Sequence, residues 1–212
     1  MGIPVLIIGR SGTGKTTSLR NCVGNSRFGL IKALNKPLPF RGDIPSVCTD
    51  DYAKIIDVLY RSKAPSMIID DAGYLLTNAF MRNHSVKGTG NAIYSFYNSL
   101  ADNYWNLVQF IIDRLPDDRI VYIIMHEDSN ELGEIKAKTI GKLIDEKVCL
   151  EGMFTIVLRC VIENGQHRFV TQYNDGAISK SPMGMFGDLM IDNDLLFVDN
   201  TIREFYSINY TA

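Results

Sequence analysis

The stretch IPVLIIGRSGTGKTT (residues 3–17) joins a short apolar run to a loop that contains three glycines and a lysine. The loop fits the pattern G-x-x-x-x-G-K-[ST], which in nucleotide-binding proteins follows a buried strand and opens a helix. Residues 5–8 predict such a strand, and residues 15–23 predict the helix. The stretch therefore predicts a phosphate-binding loop within a strand–loop–helix unit.

The residues of this loop suit the binding of a nucleoside triphosphate. Glycines allow positive φ angles and a close approach of the backbone to a ligand, so successive N–H groups can form an anion-binding nest beside the start of the next helix. Lys15 is expected to reach the β- and γ-phosphates, and the Thr16 hydroxyl to bind Mg²⁺. ATP and Mg²⁺ are the predicted cofactors, and the predicted nucleotide-binding residues are Gly9, Arg10, Ser11, Gly12, Thr13, Gly14, Lys15, Thr16 and Thr17.

Length and charge limit the classes of protein that fit this sequence. The chain has 212 residues, of which 46% are hydrophobic, and this suits one domain with a full core. A formal net charge of −2 argues against a protein that coats duplex DNA by bulk charge, so any contact with nucleic acid must be local or shared among subunits. The four cysteines show no C-x-x-C spacing, so neither a zinc site nor a disulfide framework is predicted.

The sequence also predicts a cytoplasmic protein without a membrane segment. No run of about 18 apolar residues is present, and such a run is needed to span a bilayer. The apolar run at the amino end is short and continues directly into the glycine-rich loop, which does not fit a signal peptide.

Strand and helix patterns alternate along the chain. Residues 27–41 are rich in Gly, Pro and Asn and predict an irregular excursion or a short hairpin. Asn164-Gly165 predicts the turn of a β-hairpin between residues 153–161 and 167–173. The other predicted strands cover residues 45–49, 66–71 and 119–125, and the other predicted helices cover residues 51–60 and 91–115. This order predicts one α/β domain with a mainly parallel sheet, helices on both faces and a C-terminal antiparallel hairpin.

Carboxylates at predicted strand ends complete the expected site. Asp70 follows a buried strand and is the predicted Mg²⁺ ligand, because such ligands lie at the carboxyl ends of parallel strands. Hydrolysis also needs a group that orients or deprotonates water, and three positions remain open: Asp71, Asp50 or Asp51, and Glu127. His126 follows the apolar run VYIIM and could sense the γ-phosphate as a neutral imidazole, or simply end the strand.

Several segments together resemble one protein family. They are GRSGTGKTT, MIIDD, YIIMHE, KTIGKLIDEKVCLEGMFTIVLR, ISKSPMGMF and NDLLFVDNTIREFY. In this order they resemble the small phage-type ATP-binding proteins with a RecA-like P-loop core, a group associated with recombination and single-strand annealing. The resemblance spans nearly the whole chain, and the glycine-rich loop is its most specific part.

The resemblance implies one RecA-like ATPase domain over residues 1–212, with residues 178–212 as a C-terminal extension packed on the core. It implies a homo-oligomer that binds single-stranded DNA and other phage recombination or replication proteins, with His126 as a sensor. The implied DNA-binding residues lie in loops 82–91 and 129–142, which could equally be solvated connections: Arg82, Lys87, Lys136, Lys138 and Lys142. Lys180 loosely matches a basic finger that acts in trans, although Pro182 stands where a second basic residue is expected.

Two other functions compete with a DNA-dependent ATPase. A nucleotide-binding switch or loader with little turnover would keep the same loop, but the guanine-selecting tetrad N-K-x-D is incomplete because residues 35–38 read NKPL. A small-molecule kinase would carry an Arg-rich lid, whereas the arginines here are scattered. We therefore expect Mg²⁺-dependent ATP hydrolysis in phage recombination or replication, inside the bacterial host cytoplasm if the gene is phage-encoded.

Overall fold

The computed structural model describes residues 1–85, 90–129, 133–141, 143–173 and 176–208, apart from the side chains of residues 145 and 146. The strands of this described part are β1 Ile3–Gly9, β2 Phe28–Lys32, β3 Ser46–Cys48, β4 Ser66–Asp70, β5 Ile120–Ser129, β6 Ile135–Ala137, β7 Ile156–Glu163, β8 Gln166–Val170 and β9 Met190–Asp192. Its α-helices are α1 Tyr52–Arg61, α2 Gly73–Asn83, α3 Asn91–Arg114 and α4 Leu195–Phe205. Short 3₁₀ helices cover Thr16–Cys22 and Leu150–Met153, and a π-helix covers Leu143–Lys147.

The strands form one mixed sheet in the order β3-β2-β4-β5-β1-β7-β8-β9, with β6 paired to β5. The pairs β2–β3, β2–β4, β4–β5, β1–β5 and β1–β7 are parallel, and β5–β6, β7–β8 and β8–β9 are antiparallel. Parallel strands that alternate with helices along the chain give this arrangement. The prediction of an α/β fold with a mostly parallel sheet flanked by helices is confirmed.

Two hydrophobic clusters pack on opposite faces of the sheet. Successive side chains of a strand point to opposite faces, so Leu6 and Ile8 of β1 pack with α1, α2 and α3. Val5 and Ile7 pack instead with Thr16–Cys22 and α4. Both faces of β1 are fully buried, which explains why its sequence is apolar without alternation.

Helix α3 is the longest helix in the described part, with 24 residues. Its buried residues follow one stripe: Phe96, Leu100, Ala101, Tyr104, Leu107, Val108 and Ile111. The helix ends just before Leu115-Pro116, as the sequence predicts, because a proline disfavours the helical conformation of the residue before it. Among the residues that the structure describes, no helix is both long enough and apolar enough to cross a membrane.

The predicted hairpin is present as β7 and β8. Asn164 and Gly165 both have positive φ angles, 51° and 77°, which is the signature of a type I′ turn. The first strand of the hairpin begins at Ile156 rather than at residue 153, because Leu150–Met153 forms a 3₁₀ helix. Strand β9 then extends the hairpin into an antiparallel edge of three strands.

Two elements in the first half of the chain differ from the prediction. Residues 27–41 contain β2, a strand that pairs in parallel on both sides rather than forming an excursion or a hairpin. Its five residues, FGLIK, are too few to stand out beside the Gly, Pro and Asn around them. Helix α2 is also absent from the sequence prediction; Leu75 and Leu76 bury it in the core although a glycine begins it.

The elements around the glycine-rich loop also differ in extent. The helix predicted over residues 15–23 is a seven-residue 3₁₀ helix, so its dipole adds less charge at the loop than a full α-helix would. Strand β5 continues past residue 125 to Ser129 and pairs with β6, and the segment predicted as loop 129–142 therefore contains a strand.

Candidate functional site

The carboxyl ends of β1, β4 and β5 meet around a cleft beside residues 9–17, which we call the glycine-rich loop. Gly9 of β1 pairs in register with His126 of β5. The cleft measures about 280 Å³ and is lined by Ser11, Gly12, Gly14, Lys15, Thr16, Thr17, Lys36, Pro37, Pro39, Asp71 and His126. A larger cavity of about 840 Å³ lies at the other end of β1, beside Met1, Gly2 and Pro4, and no residue of the glycine-rich loop lines it.

Lys15 is the most buried cation of the cleft. Its side chain curls back over the loop, where Nζ donates to the carbonyl oxygens of Gly9 at 2.9 Å and Arg10 at 2.8 Å. The residue is 6% exposed, and burial lowers its pKa, although nearby acidic groups oppose that shift. A buried ammonium group fixed in this way is suited to bind an anion that enters the cleft.

Thr16 and Asp70, the predicted Mg²⁺ ligands, lie in direct contact. The Thr16 hydroxyl is 3.0 Å from Oδ1 and 3.1 Å from Oδ2 of Asp70. Burial, followed by the negative charge of Asp71, raises the pKa of Asp70 to about 6. A hydroxyl and a buried carboxylate placed together are oxygen ligands of the kind that Mg²⁺ takes. The described residues contain no cluster of three or more His, Cys, Asp or Glu side chains suited to a metal, so a cation here would need oxygens from a bound phosphate or water.

Asp71 faces the cleft from the turn that follows β4. Its φ angle of 56° is in the left-handed region, which Asp tolerates better than most residues. Its side chain is 4% exposed, forms an ion pair with Lys36 and lies 3.8 Å from Nε2 of His126. Burial disfavours the charge of Lys36, but its hydrogen bond and ion pair with Asp71 raise its pKa overall.

His126 stands between Lys15 and Asp71. Its Nδ1 lies 3.4 Å from Nζ of Lys15, and burial, followed by the Lys15 charge, lowers the pKa of the imidazole. The ring is therefore neutral at neutral pH, as a hydrogen-bonding sensor of a phosphate would be. Because β5 runs on to Ser129, His126 lies within the strand rather than at its end.

The glycine-rich loop rests closely on strands β7 and β8. A Cβ atom at Gly9 would lie 2.7 Å from the carbonyl oxygen of Cys160, so no larger residue fits there without a shift. The Thr13 carbonyl accepts from the Cys160 thiol at 2.9 Å and lies 2.7 Å from Nδ1 of His167. Gly14 has a φ of 99° and is followed by Lys15 in the right-handed helical region, an alternation that turns successive N–H groups toward one point.

Glu127 is held by two arginines and does not line the cleft beside the loop. Arg159 of β7 binds its carboxylate through two hydrogen bonds of 2.8 and 3.0 Å, and Nε of Arg10 lies 3.3 Å away. Glu127 thus ties β7 to the start of the glycine-rich loop across the end of β1. Its assignment as a catalytic carboxylate stays a prediction, and Arg159 and Arg10 are the groups that contact the carboxylate in this structure.

Asp50 and Asp51 also have partners outside the cleft. Asp51 caps α1 by accepting hydrogen bonds from the backbone N–H groups of Ala53 and Lys54, at 2.8 and 3.2 Å. Asp50 accepts from Asn78 at 2.7 Å and from Arg82 at 2.6 Å, and the Arg82 hydrogen bond lowers its pKa. Of the three open positions for a water-orienting carboxylate, Asp71 is the one that faces the cleft.

The residues expected to contact DNA lie on different elements in the described part of the chain. Arg82 lies in α2 rather than in a loop, because α2 continues to Asn83, and it pairs with Asp50. Lys136 lies on β6, opposite Asp128 of β5. Lys138 lines a second cleft, of about 490 Å³, with Arg10, Ser11, Gly73, Tyr74, Thr77, His126, Glu127 and Ile140. Lys87 and Lys142 lie outside the described residues.

Lys180 lies along β7 rather than beside the glycine-rich loop. Its backbone N–H donates to Val157 at 2.9 Å, and its carbonyl accepts from the Val157 N–H at 2.8 Å. Val157 lies three residues before Cys160, which is level with Gly9. A trans-acting role for Lys180 stays a prediction.

Sequence reasoning missed several residues that shape the site. Lys36 enters the cleft from the loop after β2, and Arg159, Cys160 and His167 support the glycine-rich loop from β7 and β8. Lys36 could have been recognised as a candidate from sequence only if β2 had been predicted, because β2 ends four residues before it and so brings it to the carboxyl ends of the strands. No protein-family model matches the chain, and no curated protein matches it at a significant level.

Proposed function

We propose that the chain is a RecA-like P-loop ATPase that binds ATP with Mg²⁺ and hydrolyses it. One observation carries this proposal: the convergence of Lys15, Thr16 and Asp70 beside a loop with the G-x-x-x-x-G-K-[ST] pattern. These residues come from β1 with its loop and from β4, which are separated by β5 in the sheet. Such an arrangement suits a nucleoside triphosphate together with its metal ion.

The cleft would bind the phosphates through the loop backbone and Lys15. The alternation of backbone conformations at Gly14 and Lys15 favours an anion nest, and the ammonium group of Lys15 supplies the charge. A γ-phosphate that enters the cleft would take Nζ of Lys15 as a donor in exchange for the two carbonyl oxygens that it now contacts. Because the helix after the loop is a short 3₁₀ helix, its dipole contributes little, and most of the attraction for the phosphate would come from the loop N–H groups and Lys15.

Thr16 and Asp70 would hold Mg²⁺ together with the phosphate oxygens. The metal would neutralise charge that develops on the phosphates during transfer. Asp70 must be ionised for this role, and its pKa of about 6 means that it is ionised at the pH of a cell. Asp71 would orient the attacking water, because it faces the cleft and is close to His126.

The RecA-like part of the proposal is supported by the sheet order and by the resemblance of the chain. In the sheet, β1 lies between β5 and β7, and the antiparallel strands β8 and β9 follow at one edge. We further propose that the protein acts as a homo-oligomer on single-stranded DNA in phage recombination or replication. With a net charge of −2, contacts with DNA would have to come from local groups such as Lys136 and Lys138, repeated in each subunit.

Two rivals remain distinguishable by measurement. A switch or loader would bind ATP with little turnover, and a small-molecule kinase would release little phosphate without an acceptor. We would measure phosphate release from ATP and from GTP, with and without single-stranded DNA. Hydrolysis of ATP that DNA stimulates supports our proposal; tight ATP binding without phosphate release favours the switch, and phosphate release only with an added small acceptor favours a kinase.

The water-orienting carboxylate is predicted to be Asp71. Asp71→Asn should lower the hydrolysis rate by about 10²–10⁴-fold with ATP binding preserved, the range expected for loss of a general base. Glu127→Gln and Asp51→Asn, measured in the same single-turnover assay, should have much smaller effects because these side chains contact Arg159 and the α1 backbone instead. A larger loss in Glu127→Gln than in Asp71→Asn would transfer the role to Glu127.

The segment with Lys136, Lys138 and Lys142 is predicted to contact single-stranded DNA. The slope of the logarithm of the DNA-binding constant against the logarithm of the salt concentration should become less steep when all three lysines are neutralised. The expected change is about 0.7 for each DNA phosphate that is no longer neutralised. DNA stimulation of the ATPase should disappear while basal hydrolysis persists. Lys54, an exposed lysine of α1, provides a control for charge alone. If the triple variant binds an oligonucleotide as the unchanged protein does, this segment is a solvated connection and DNA must bind elsewhere.

A further inference from the structure

Lys36 is brought into the cleft by a constrained segment that follows β2. The N–H of Ala33 donates to the Asp70 carbonyl at 3.2 Å, and the N–H of Lys36 donates to the Leu34 carbonyl at 3.0 Å. The start of the segment is therefore attached to the end of β4, the strand that carries Asp70. Pro37 and Pro39 line the cleft next to Lys36, and their fixed φ angles restrict the backbone that presents it.

The two lysines of the cleft differ in freedom. Lys15 is 6% exposed, and two carbonyl oxygens hold its ammonium group. The Lys36 side chain is 48% exposed and forms an ion pair with Asp71. A lysine with a half-exposed, flexible stem can exchange one anionic partner for another at low cost. Lys36 is therefore the cation of this cleft that can move when an anion arrives.

Asp71 depends on Lys36 while the cleft holds no phosphate. The carboxylate is 4% exposed, and a buried charge is costly unless it is paired. His126, at 3.8 Å, has a lowered pKa, and Lys15, the other cation that interacts with Asp71, is held by the carbonyl oxygens of Gly9 and Arg10. While Lys36 pairs with Oδ2 of Asp71, that carboxylate oxygen is held by a cation rather than by a water molecule.

We propose that Lys36 is a γ-phosphate ligand that acts within its own subunit and exchanges Asp71 for the phosphate when a triphosphate binds. This proposal rests on the proposed ATPase function. A terminal phosphate carries more negative charge than one carboxylate, so it attracts Lys36 more strongly. Asp71 then becomes able to orient the attacking water. The water oxygen bonds to the γ-phosphorus, the bond to the β–γ bridging oxygen breaks so that ADP leaves, and the water proton passes to Asp71.

A diphosphate should not trigger this exchange, because it lacks the group that Lys36 would contact. We would measure equilibrium binding of a non-hydrolysable ATP analogue and of ADP, each with Mg²⁺. Lys36→Met, which keeps an unbranched side chain one heavy atom shorter and removes the charge, should lower affinity for the analogue by about ten- to a hundredfold, the range for one charged contact. Affinity for ADP should change by less than about threefold. Lys36→Arg should keep most of the preference for the triphosphate, and Lys54→Met should match the unchanged protein.

A double variant separates phosphate binding from the stability of the apoprotein. Lys36→Met alone should lower the melting temperature without nucleotide, because it leaves Asp71 buried without its cation. Adding Asp71→Asn should restore the melting temperature but not the preference for the triphosphate. If Lys36 has only a structural role, the double variant recovers both properties, and the proposal is wrong.

Two further outcomes would overturn the proposal. Equal losses of affinity for the triphosphate analogue and ADP in Lys36→Met would place Lys36 near the α- and β-phosphates or assign it a general effect on the cleft. Unchanged affinity for both would show that Lys36 stays with Asp71. If the wild-type protein binds neither nucleotide, the ATPase function itself is contradicted. That result can be told apart from the two outcomes for Lys36→Met, in which the wild-type protein does bind nucleotide.

Discussion

Replacing Lys15 with alanine should abolish ATP turnover, with a fall of at least about 10³-fold, and should sharply weaken triphosphate binding. Lys15 is the buried cation of the cleft, and its ammonium group would be the donor closest to the charge that develops on the γ-phosphate. Lys36 would not replace it, because the Lys36 side chain is half-exposed and already pairs with Asp71.

The same substitution should leave the fold intact. Burial lowers the pKa of Lys15, so the folded protein bears a cost for this charge, and removing the charge relieves that cost. The loss of two hydrogen bonds to the carbonyls of Gly9 and Arg10 acts in the opposite direction. We expect the free energy of unfolding to change by no more than about 2 kcal/mol.

Phosphate release, nucleotide binding and urea unfolding of Lys15→Ala would check both expectations. Lys54→Ala removes an exposed lysine from α1 and provides the matched control. Turnover at the unchanged rate in a folded Lys15→Ala protein would contradict the assignment of the glycine-rich loop. Loss of the fold would instead show that Lys15 contributes mainly to stability.

The contact between Thr16 and Asp70 could be anticipated from sequence because it depends on strand ends. Asp70 ends the buried strand β4, and Thr16 begins the helix that follows β1 and its loop. The carboxyl ends of parallel strands lie at the same side of a sheet, so the two residues are expected to be neighbours. The same reasoning predicts His126 at this end of the sheet, where the structure has it level with Gly9 although β5 is longer than predicted. Strand order mattered little for these residues.

The partners of Glu127 and Asp71 could not be anticipated because they depend on strand order and on a loop. Arg159 reaches Glu127 only because β7 lies next to β1 on the side opposite β5, and chain order does not reveal that neighbour. Lys36 reaches Asp71 only because β2 lies beside β4, and β2 was hidden in a segment that favours turns. The sequence could therefore identify the candidate carboxylates, but it could not show which of them forms an ion pair with an arginine.

Replacing Asp70 with asparagine should eliminate Mg²⁺-dependent hydrolysis while ATP affinity stays within about tenfold, because the amide keeps the shape and removes the charge. The Thr16 hydroxyl can still donate to the amide oxygen, so the local packing should persist. Asp113→Asn, an exposed substitution on α3, provides the control. Hydrolysis at the unchanged rate would move the metal ligand to another residue.

Asp70→Asn should at the same time stabilise the apoprotein above pH 6. The folded protein raises the pKa of Asp70 from 3.8 to about 6, so this carboxyl group binds its proton more tightly in the folded state than in the unfolded state. Its contribution to stability is complete below pH 3.8 and is lost as the pH rises to about 6. The difference in pKa corresponds to a cost of up to about 3 kcal/mol above that pH, which asparagine avoids.

Chemical unfolding at pH 4 and pH 8 would measure this difference, and Mg²⁺ with an ATP analogue should reverse it. The variant should be the more stable protein at pH 8 without ligand, and its advantage should fall toward zero at pH 4. Adding the metal and the analogue should stabilise the unchanged protein more than the variant, because a ligand stabilises the state that binds it in proportion to its affinity. The Asp70 carboxylate would support the fold rather than a metal if the variant is less stable than the wild-type protein at pH 8 and is stabilised as much by the ligand as the wild-type protein is. The predicted reversal would mean that the buried charge of Asp70 lowers the stability of the apoprotein and is kept for the bound cation.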